Sequence, residues 1–246
     1  MFEELDYQKT PLGDLVLRRR VDPALGGKMI YEVKLGDDFL MSSLFHEGET
    51  ALAELGLADL TGTQLHVVVG GLGLGYTAAA ALRHPAVDSL LVIEALSGVI
   101  DWHRRGLVPL GADLAGDPRC RFIRGDFFRM AGADGGGFDP DRAGRLFDAV
   151  LLDIDHAPDH LLHPDHAALY EPAGLRRLAE RLRPGGVFAL WSNQPPDGDF
   201  LQRLESCFAA AAAHGVAFPN PYTGGEAANT VYVARTAPVA ETGVAA

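Results

Sequence analysis

The run Leu65-His66-Val67-Val68-Val69, followed by Gly70-Gly71-Leu72-Gly73-Leu74-Gly75, restricts the fold more than any other part of the chain. A short apolar run closed off by glycine reads as a strand buried on both faces of a parallel sheet. The glycines let the chain turn tightly and let backbone N–H groups approach a ligand at the start of the next helix. The Ala-rich segment Thr77–Arg83 supplies that helix. The second strand, Ser89–Glu94, ends in an acid 19 residues after Gly75. A carboxylate there can accept hydrogen bonds from both ribose hydroxyls. Asp126, in Arg124-Gly125-Asp126 after a third strand at Cys120–Arg124, stands where an adenine amino group could be read. Gly71, Gly73, Gly75, Glu94 and Asp126 are therefore the candidate cofactor residues.

The alternation continues along the chain. Helices are expected over Gly98–Arg105 and Pro172–Leu182, the latter with proline in its first turn and Arg-Pro-Gly-Gly after its end. Strands are expected over Phe147–Leu152 and Val187–Ser192, then a helix over Asp199–His214 and two closing strands, Val216–Phe218 and Thr230–Ala234. Alternating β and α elements imply a mostly parallel, doubly wound sheet, and two successive strands at the end imply an antiparallel edge. The N-terminal region reads differently. It shows extended segments at Leu15–Arg20, Met29–Leu35 and Asp37–Met41, then a helix over Glu47–Leu55 ending at Gly56. The expected organisation is a β-rich element with its linking helix over 1–60, an α/β domain with a seven-stranded sheet over 61–236, and a disordered tail over 237–246.

Composition removes several classes of function. Acidic side chains number 33 against 21 basic ones, a formal charge of -12. That is too negative for a broad nucleic-acid interface, which needs Lys and Arg to neutralise phosphate. The one dense basic run, Arg18-Arg19-Arg20, reads as a solvated edge strand whose middle member faces away from the other two. No apolar run approaches the ~18 residues that span a bilayer. The segment Met1–Thr10 is acidic and has no apolar centre, so no secretory leader is expected. Cys120 and Cys207 are too few for a disulfide framework or a metal knuckle. A cytoplasmic protein with reduced, packed thiols is the expectation.

In a dinucleotide fingerprint the third glycine position after Gly71 and Gly73 would fall on Tyr76, whose bulk prevents close helix–strand contact. The closing strand pair is instead the arrangement of class I S-adenosylmethionine-dependent methyltransferases. Further segments narrow the likeness: Gly75 to Glu94 with Arg83-His84-Pro85-Ala86-Val87 in its middle, Asp117-Pro118-Arg119 followed by Gly125-Asp126, Phe147-Asp148-Ala149-Val150-Leu151-Leu152-Asp153, Leu182-Arg183-Pro184-Gly185-Gly186, and Tyr7-Gln8. In this combination they resemble the spermidine synthase (polyamine aminopropyltransferase) family over most of residues 7–235. The resemblance implies a Rossmann-like methyltransferase fold, S-adenosyl-L-methionine or its decarboxylated form as cofactor, and Gln8 and Asp153 among the cofactor residues. It also implies a small-molecule acceptor and a homodimer.

Three departures from the family pattern stand out. The family loop G-G-G-D-G-G carries an acid that helps hold the amine of the aminopropyl group, and that position here is Leu74. The family catalytic loop D-S-S/T-D-P reads Asp153-Ile154-Asp155-His156-Ala157, so its proton-accepting second Asp becomes His156, with Asp155 beside it. The N-terminal D-G-x-x-Q has no Gln counterpart within Gly36–Ser43. Exchanging a carboxylate for leucine removes a cation's charge partner in a partly dry site, an effect on the order of a few kcal/mol.

A sulfonium surrenders a methyl or an aminopropyl group by the same in-line displacement, and the protein's task is to position the nucleophile and keep it unprotonated. Asp153, at the carboxyl end of the fourth strand, lies where ligands sit in open α/β sheets. Asp155 and His156 complete the catalytic candidates. His156, with an unperturbed pKa of about 6.5, is either a general base or a loop hydrogen-bonding group. His156, His160, His163 and His166 invite a metal reading, but Pro158 and Pro164 interrupt any helix that would align them, and no metal is expected. Asn193-Gln194-Pro195-Pro196 reads as a turn. Tyr170, Tyr222 and Glu226 are the candidates on the substrate side. Methyl transfer to a small amine is the favoured expectation. Aminopropyl transfer to a polyamine and a non-catalytic nucleoside-binding scaffold are the alternatives.

Overall fold

The computed structural model describes residues 2–132 and 136–239. An antiparallel sheet in the order β1-β2-β3-β4 is built from β1 (Phe2–Thr10), β2 (Gly13–Asp22), β3 (Lys28–Leu35) and β4 (Asp38–Ser42). Helix α1 (Glu47–Leu57) leads into a seven-stranded sheet in the order β10-β11-β9-β8-β5-β6-β7. Its strands are β5 (Leu65–Gly70), β6 (Val87–Glu94), β7 (Cys120–Arg124), β8 (Phe147–Leu152), β9 (Leu182–Ser192), β10 (Ala210–Asn220) and β11 (Gly225–Arg235). Strands β5 to β9 run parallel, β11 runs antiparallel to β9, and β10 antiparallel to β11. The helices are α2 (Tyr76–Arg83), α3 (Ser97–Arg104), α4 (Gly111–Gly116), α5 (Phe127–Ala131), α6 (Ala167–Tyr170), α7 (Pro172–Ala179) and α8 (Gly198–Cys207). This is the Rossmann-like methyltransferase architecture with its antiparallel edge and N-terminal β element. No helix among the described residues is long and apolar enough to cross a membrane.

The central strands are apolar on both faces because both faces are covered. Val67 and Val69 of β5 join the core shared with α1, α2 and α3, while Val68 joins the core under α5, α7 and α8. From β5 the chain steps outward through β6 to β7, then returns to place β8 on the other side of β5. The carboxyl ends of β5 and β8 therefore flank the switch point where open α/β sheets bind ligands.

Several expectations change. Strand β1 was not anticipated, since Phe2–Thr10 is polar and mostly exposed, yet it pairs with β2 along nearly its whole length. The arginine run consequently lies in an inner strand rather than at an edge. Arg18 and Arg20 both bond Glu32 of β3, and Arg19 bonds Glu3 of β1 on the opposite side. The helix expected over Asp199–His214 stops at Cys207, and Ala210–His214 is strand. Alanine favours helix locally by only tenths of a kcal/mol per residue over most alternatives, and pairing of β10 with β11 over its full length outweighs that. Helix α1 runs through Gly56, which is buried against β8 and β9 rather than ending it. The helix beginning at Pro172 ends at Ala179, and Arg183–Gly186 forms a bulge in β9, because Leu182 pairs with Phe147 and the next pair is Val187 with Ala149. Of the expected tail, Ala237 accepts a hydrogen bond from the Gly185 N–H at 2.9 Å, while residues 240–246 lie outside those described.

Candidate active site at the switch point

The glycine loop adopts the conformation its composition demands. Gly71 has φ 94°, Gly73 47° and Gly75 92°, values that side-chain-bearing residues rarely tolerate. A Cβ on Gly71 would also run into the backbone carbonyl of Asp153, so the loop and the end of β8 touch. Gly71 N–H donates to the Ile93 carbonyl at 2.9 Å, and Asp153 N–H donates to the Gly70 carbonyl at 2.8 Å. Glu94 steadies the same loop: its carboxylate accepts from Leu72 N–H at 3.0 Å and Leu96 N–H at 2.8 Å. Burial raises the Glu94 pKa, and the backbone donors oppose that shift.

Two supports come from residues that the sequence did not single out. His103 of α3 donates its Nε2–H to the Gly73 carbonyl at 2.9 Å, and burial lowers its pKa against the pull of that bond. Met41 of β4 accepts from Leu74 N–H at 3.1 Å. A buried histidine and a methionine at the end of a strand carry no sequence signal for such a role.

A cavity of about 700 Å³ opens at the switch point and is lined by Gly71, Gly73, Glu94, Asp126, Asp153 and His156, among others. Asp126 caps α5, its Oδ1 accepting from Phe128 N–H at 2.9 Å and Arg129 N–H at 3.2 Å. Asp153 accepts from the Thr77 hydroxyl at 2.6 Å. Glu49 of α1 also lines the cavity, and the sequence did not single it out. Burial, then the charge of Asp153, pushes Glu49 up to about 8. Burial pushes Asp153 up to about 6 against the pull of the Thr77 hydroxyl. Two carboxylates in a poorly solvated site resist ionising together, so the pair retains a proton near neutrality and is suited to exchange it for a cation. Leu74, at the family's acidic position, is 1% exposed and belongs to the core.

The remaining candidates separate. His156 lines the cavity, and burial followed by the neighbouring His160 lowers its pKa, keeping it neutral. Asp155 is 1% exposed and outside the lining. It accepts from Leu162 N–H at 2.8 Å, His166 Nδ1–H at 2.8 Å and the Tyr170 hydroxyl at 2.7 Å. Tyr170 is correspondingly a core residue. Gln8 bonds Asp6 and packs on α3, where a Cβ on Gly98 would sit 2.6 Å from its Oε1. The Tyr222 hydroxyl donates to Asp22 at 2.7 Å and accepts from Arg20 at 2.8 Å. Glu226 is exposed in β11 opposite Pro219. Gln8, Tyr170, Tyr222, Glu226 and the Asn193–Pro196 turn all stand apart from the cavity wall. Among the described residues no three or more His, Cys, Asp or Glu side chains gather as a metal site.

No family model matches the chain. A stretch of 140 residues, 55% of the chain, is 27% identical to putrescine N-methyltransferase 4 of Nicotiana tabacum and equally to putrescine N-methyltransferase 2 of Nicotiana attenuata. The match spans 31% and 33% of those proteins, so the chain corresponds to about a third of the curated relatives' length. Among solved structures, a spermidine synthase in complex with the transition-state analogue AdoDATO superposes with a TM-score of 0.72 at 16% identity, covering 94% of this chain and 73% of that one. Spermidine synthase from Thermotoga maritima gives 0.69 at 15% identity, covering 94% and 72%. The chain is thus spermidine synthase-like, with the fold of those enzymes over nearly its whole length and a sequence match to putrescine N-methyltransferases over about half of it.

Proposed function

We propose that the chain is an S-adenosylmethionine-dependent transferase that delivers a methyl group to the nitrogen of a small cationic amine. The observation that carries this reading is the continuity of one cavity from Glu94 and Asp126 to the Glu49–Asp153 pair. A nucleoside fits the first half: Gly71 and Gly73 line it without side chains, and both acids can accept hydrogen bonds from ribose and base. An ammonium group fits the second half, where a cation relieves the repulsion between two poorly solvated carboxylates. When bound, the cofactor supplies an electrophilic carbon on a sulfonium. The chain orients the amine and removes the proton that would block its lone pair. Asp153, with its proton affinity moved toward neutrality, and His156, held neutral, are the two groups lining the cavity that suit this transfer. The putrescine N-methyltransferase relatives support both the amine and the methyl group.

Aminopropyl transfer is the second reading, favoured by Glu49. An acid on α1 offers the free amine of decarboxylated S-adenosylmethionine the partner that Leu74 does not. The two readings separate by incubating the chain with either cofactor form and a panel of amines that includes putrescine, then identifying products by mass spectrometry. A methylated amine made only from the intact cofactor is expected, and an aminopropylated product would establish the second reading. Absence of any product from either form would overturn both. Asp153→Asn is expected to lower kcat/KM roughly 100-fold or more, and unchanged turnover would remove Asp153 from the chemistry.

A further inference from the structure

The loop between β8 and α6 does not hang free over the cavity. Asp155 gathers three donors, Leu162 N–H and His166 Nδ1–H from the loop and the Tyr170 hydroxyl from α6. The His166 ring then lies flat on Phe128, with centroids 3.6 Å apart and planes 11° from parallel. The Phe128 N–H in turn donates to Asp126. Asp126, Phe128, Leu162 and His166 all line the cavity, so a continuous wall runs from the acid placed to read a base to the buried carboxylate that anchors the loop.

We infer that His166, held in place by Asp155, forms one wall of the nucleobase pocket, and that Asp155 acts as its positioning residue. The inference rests on the cofactor reading above. A flat ring fixed by a neighbouring aromatic and a buried hydrogen bond offers a base a stacking surface already in place. The tether also orients the ring. A carboxylate can only accept, so Nδ1 carries a proton and the ring is held in one orientation. The Asp126 carboxylate along this wall can only accept, which suits a 6-amino purine better than a 6-oxo purine.

Calorimetry on the full chain with 5′-methylthioadenosine and its inosine counterpart tests the assignment. Wild type is expected to bind the adenosine form more tightly, His166→Ala to bind it about 10-fold more weakly, and His166→Phe to recover affinity. Asp155→Asn is expected to weaken binding, with the double substitution no worse than His166→Ala alone, because both act through one ring. Wild-type affinity in His166→Ala would overturn the wall while leaving the cofactor reading intact. Additive losses in the double variant would overturn the positioning role of Asp155. Failure of the wild type to bind either nucleoside would overturn the cofactor reading and this inference with it. Thermal unfolding of each variant separates lost binding from lost fold.

Discussion

Glu49 and Asp153 carry the least local piece of physics in the molecule. They are 104 residues apart in sequence and share one desolvated end of a cavity. Nothing near Glu49 in the chain marks it, because its altered chemistry comes from burial and from Asp153, both supplied by distant segments. Glu94, the last residue of β6, and Asp126, just after β7, were singled out by a spacing that the fold itself sets, and both line the cavity. The raised carboxyl pKa has a consequence for stability. The unfolded chain releases the Glu49 proton near the ordinary 4.5, while the folded chain keeps it up to about 8. Across that window the folded state holds more protons than the unfolded state, so stability falls as pH rises. Glu49→Gln removes this dependence. The ligand-free wild type is expected to lose Tm between pH 5 and 8 more steeply than the variant, at about 2–4 °C per kcal/mol for a chain of this size. Parallel Tm-against-pH curves would show that Glu49 ionises freely.

At the scale of elements, reading went well where a segment's own pattern decided its structure and poorly where a partner did. Strands β7 and β8 were anticipated residue for residue, because Cys-Arg-Phe-Ile-Arg and Phe-Asp-Ala-Val-Leu-Leu are short extended segments at the strand positions of this alternation. Strand β1 and the Ala-rich start of β10 were not, since both depend on pairing with a neighbour. Helices α4 and α5, at six and five residues, are too short to show a period. Gly56 shows how a glycine can mislead. It read as a helix end, but it is the point where α1 comes closest to the sheet, and a Cβ there would lie 2.6 Å from Leu151 Cδ2 and 3.1 Å from the Ala189 Cβ. Gly→Ala inside a helix ordinarily stabilises by about 1 kcal/mol. Gly56→Ala is expected to destabilise instead, by roughly 1–3 kcal/mol through overpacking, measured as a lower urea midpoint. A raised midpoint would show that Leu151 yields without strain.

Across the described residues, polar links join the N-terminal sheet to the larger domain at several points. Asp6 of β1 accepts from the Trp102 indole at 2.6 Å, Met41 of β4 accepts from Leu74 N–H, and Tyr222 in the β10–β11 hairpin bridges Arg20 and Asp22 of β2. The second of these bears directly on the glycine loop, which makes the small sheet part of the site's support. Tyr222 belongs to this fastening, apart from the cavity wall. Tyr222→Phe is therefore expected to cost about 0.5–1.5 kcal/mol of stability and to leave cofactor and acceptor KM within twofold. A raised KM at unchanged Tm would return Tyr222 to the substrate side.

The sequence alone determined the parallel sheet, its antiparallel edge, the glycine loop and the positions of the acids at the end of β6 and just after β7. Each is written in local periodicity, in residues suited to positive φ, or in a spacing between consecutive elements. Only the tertiary structure decided which acids share the cavity with Asp153, that Asp155 faces three donors rather than a substrate, and that His166 rather than Asp155 looks into the site. Those outcomes depend on which surfaces exclude water and which distant groups meet there. Desolvation and non-local hydrogen bonding have no signature in the order of residues along the chain.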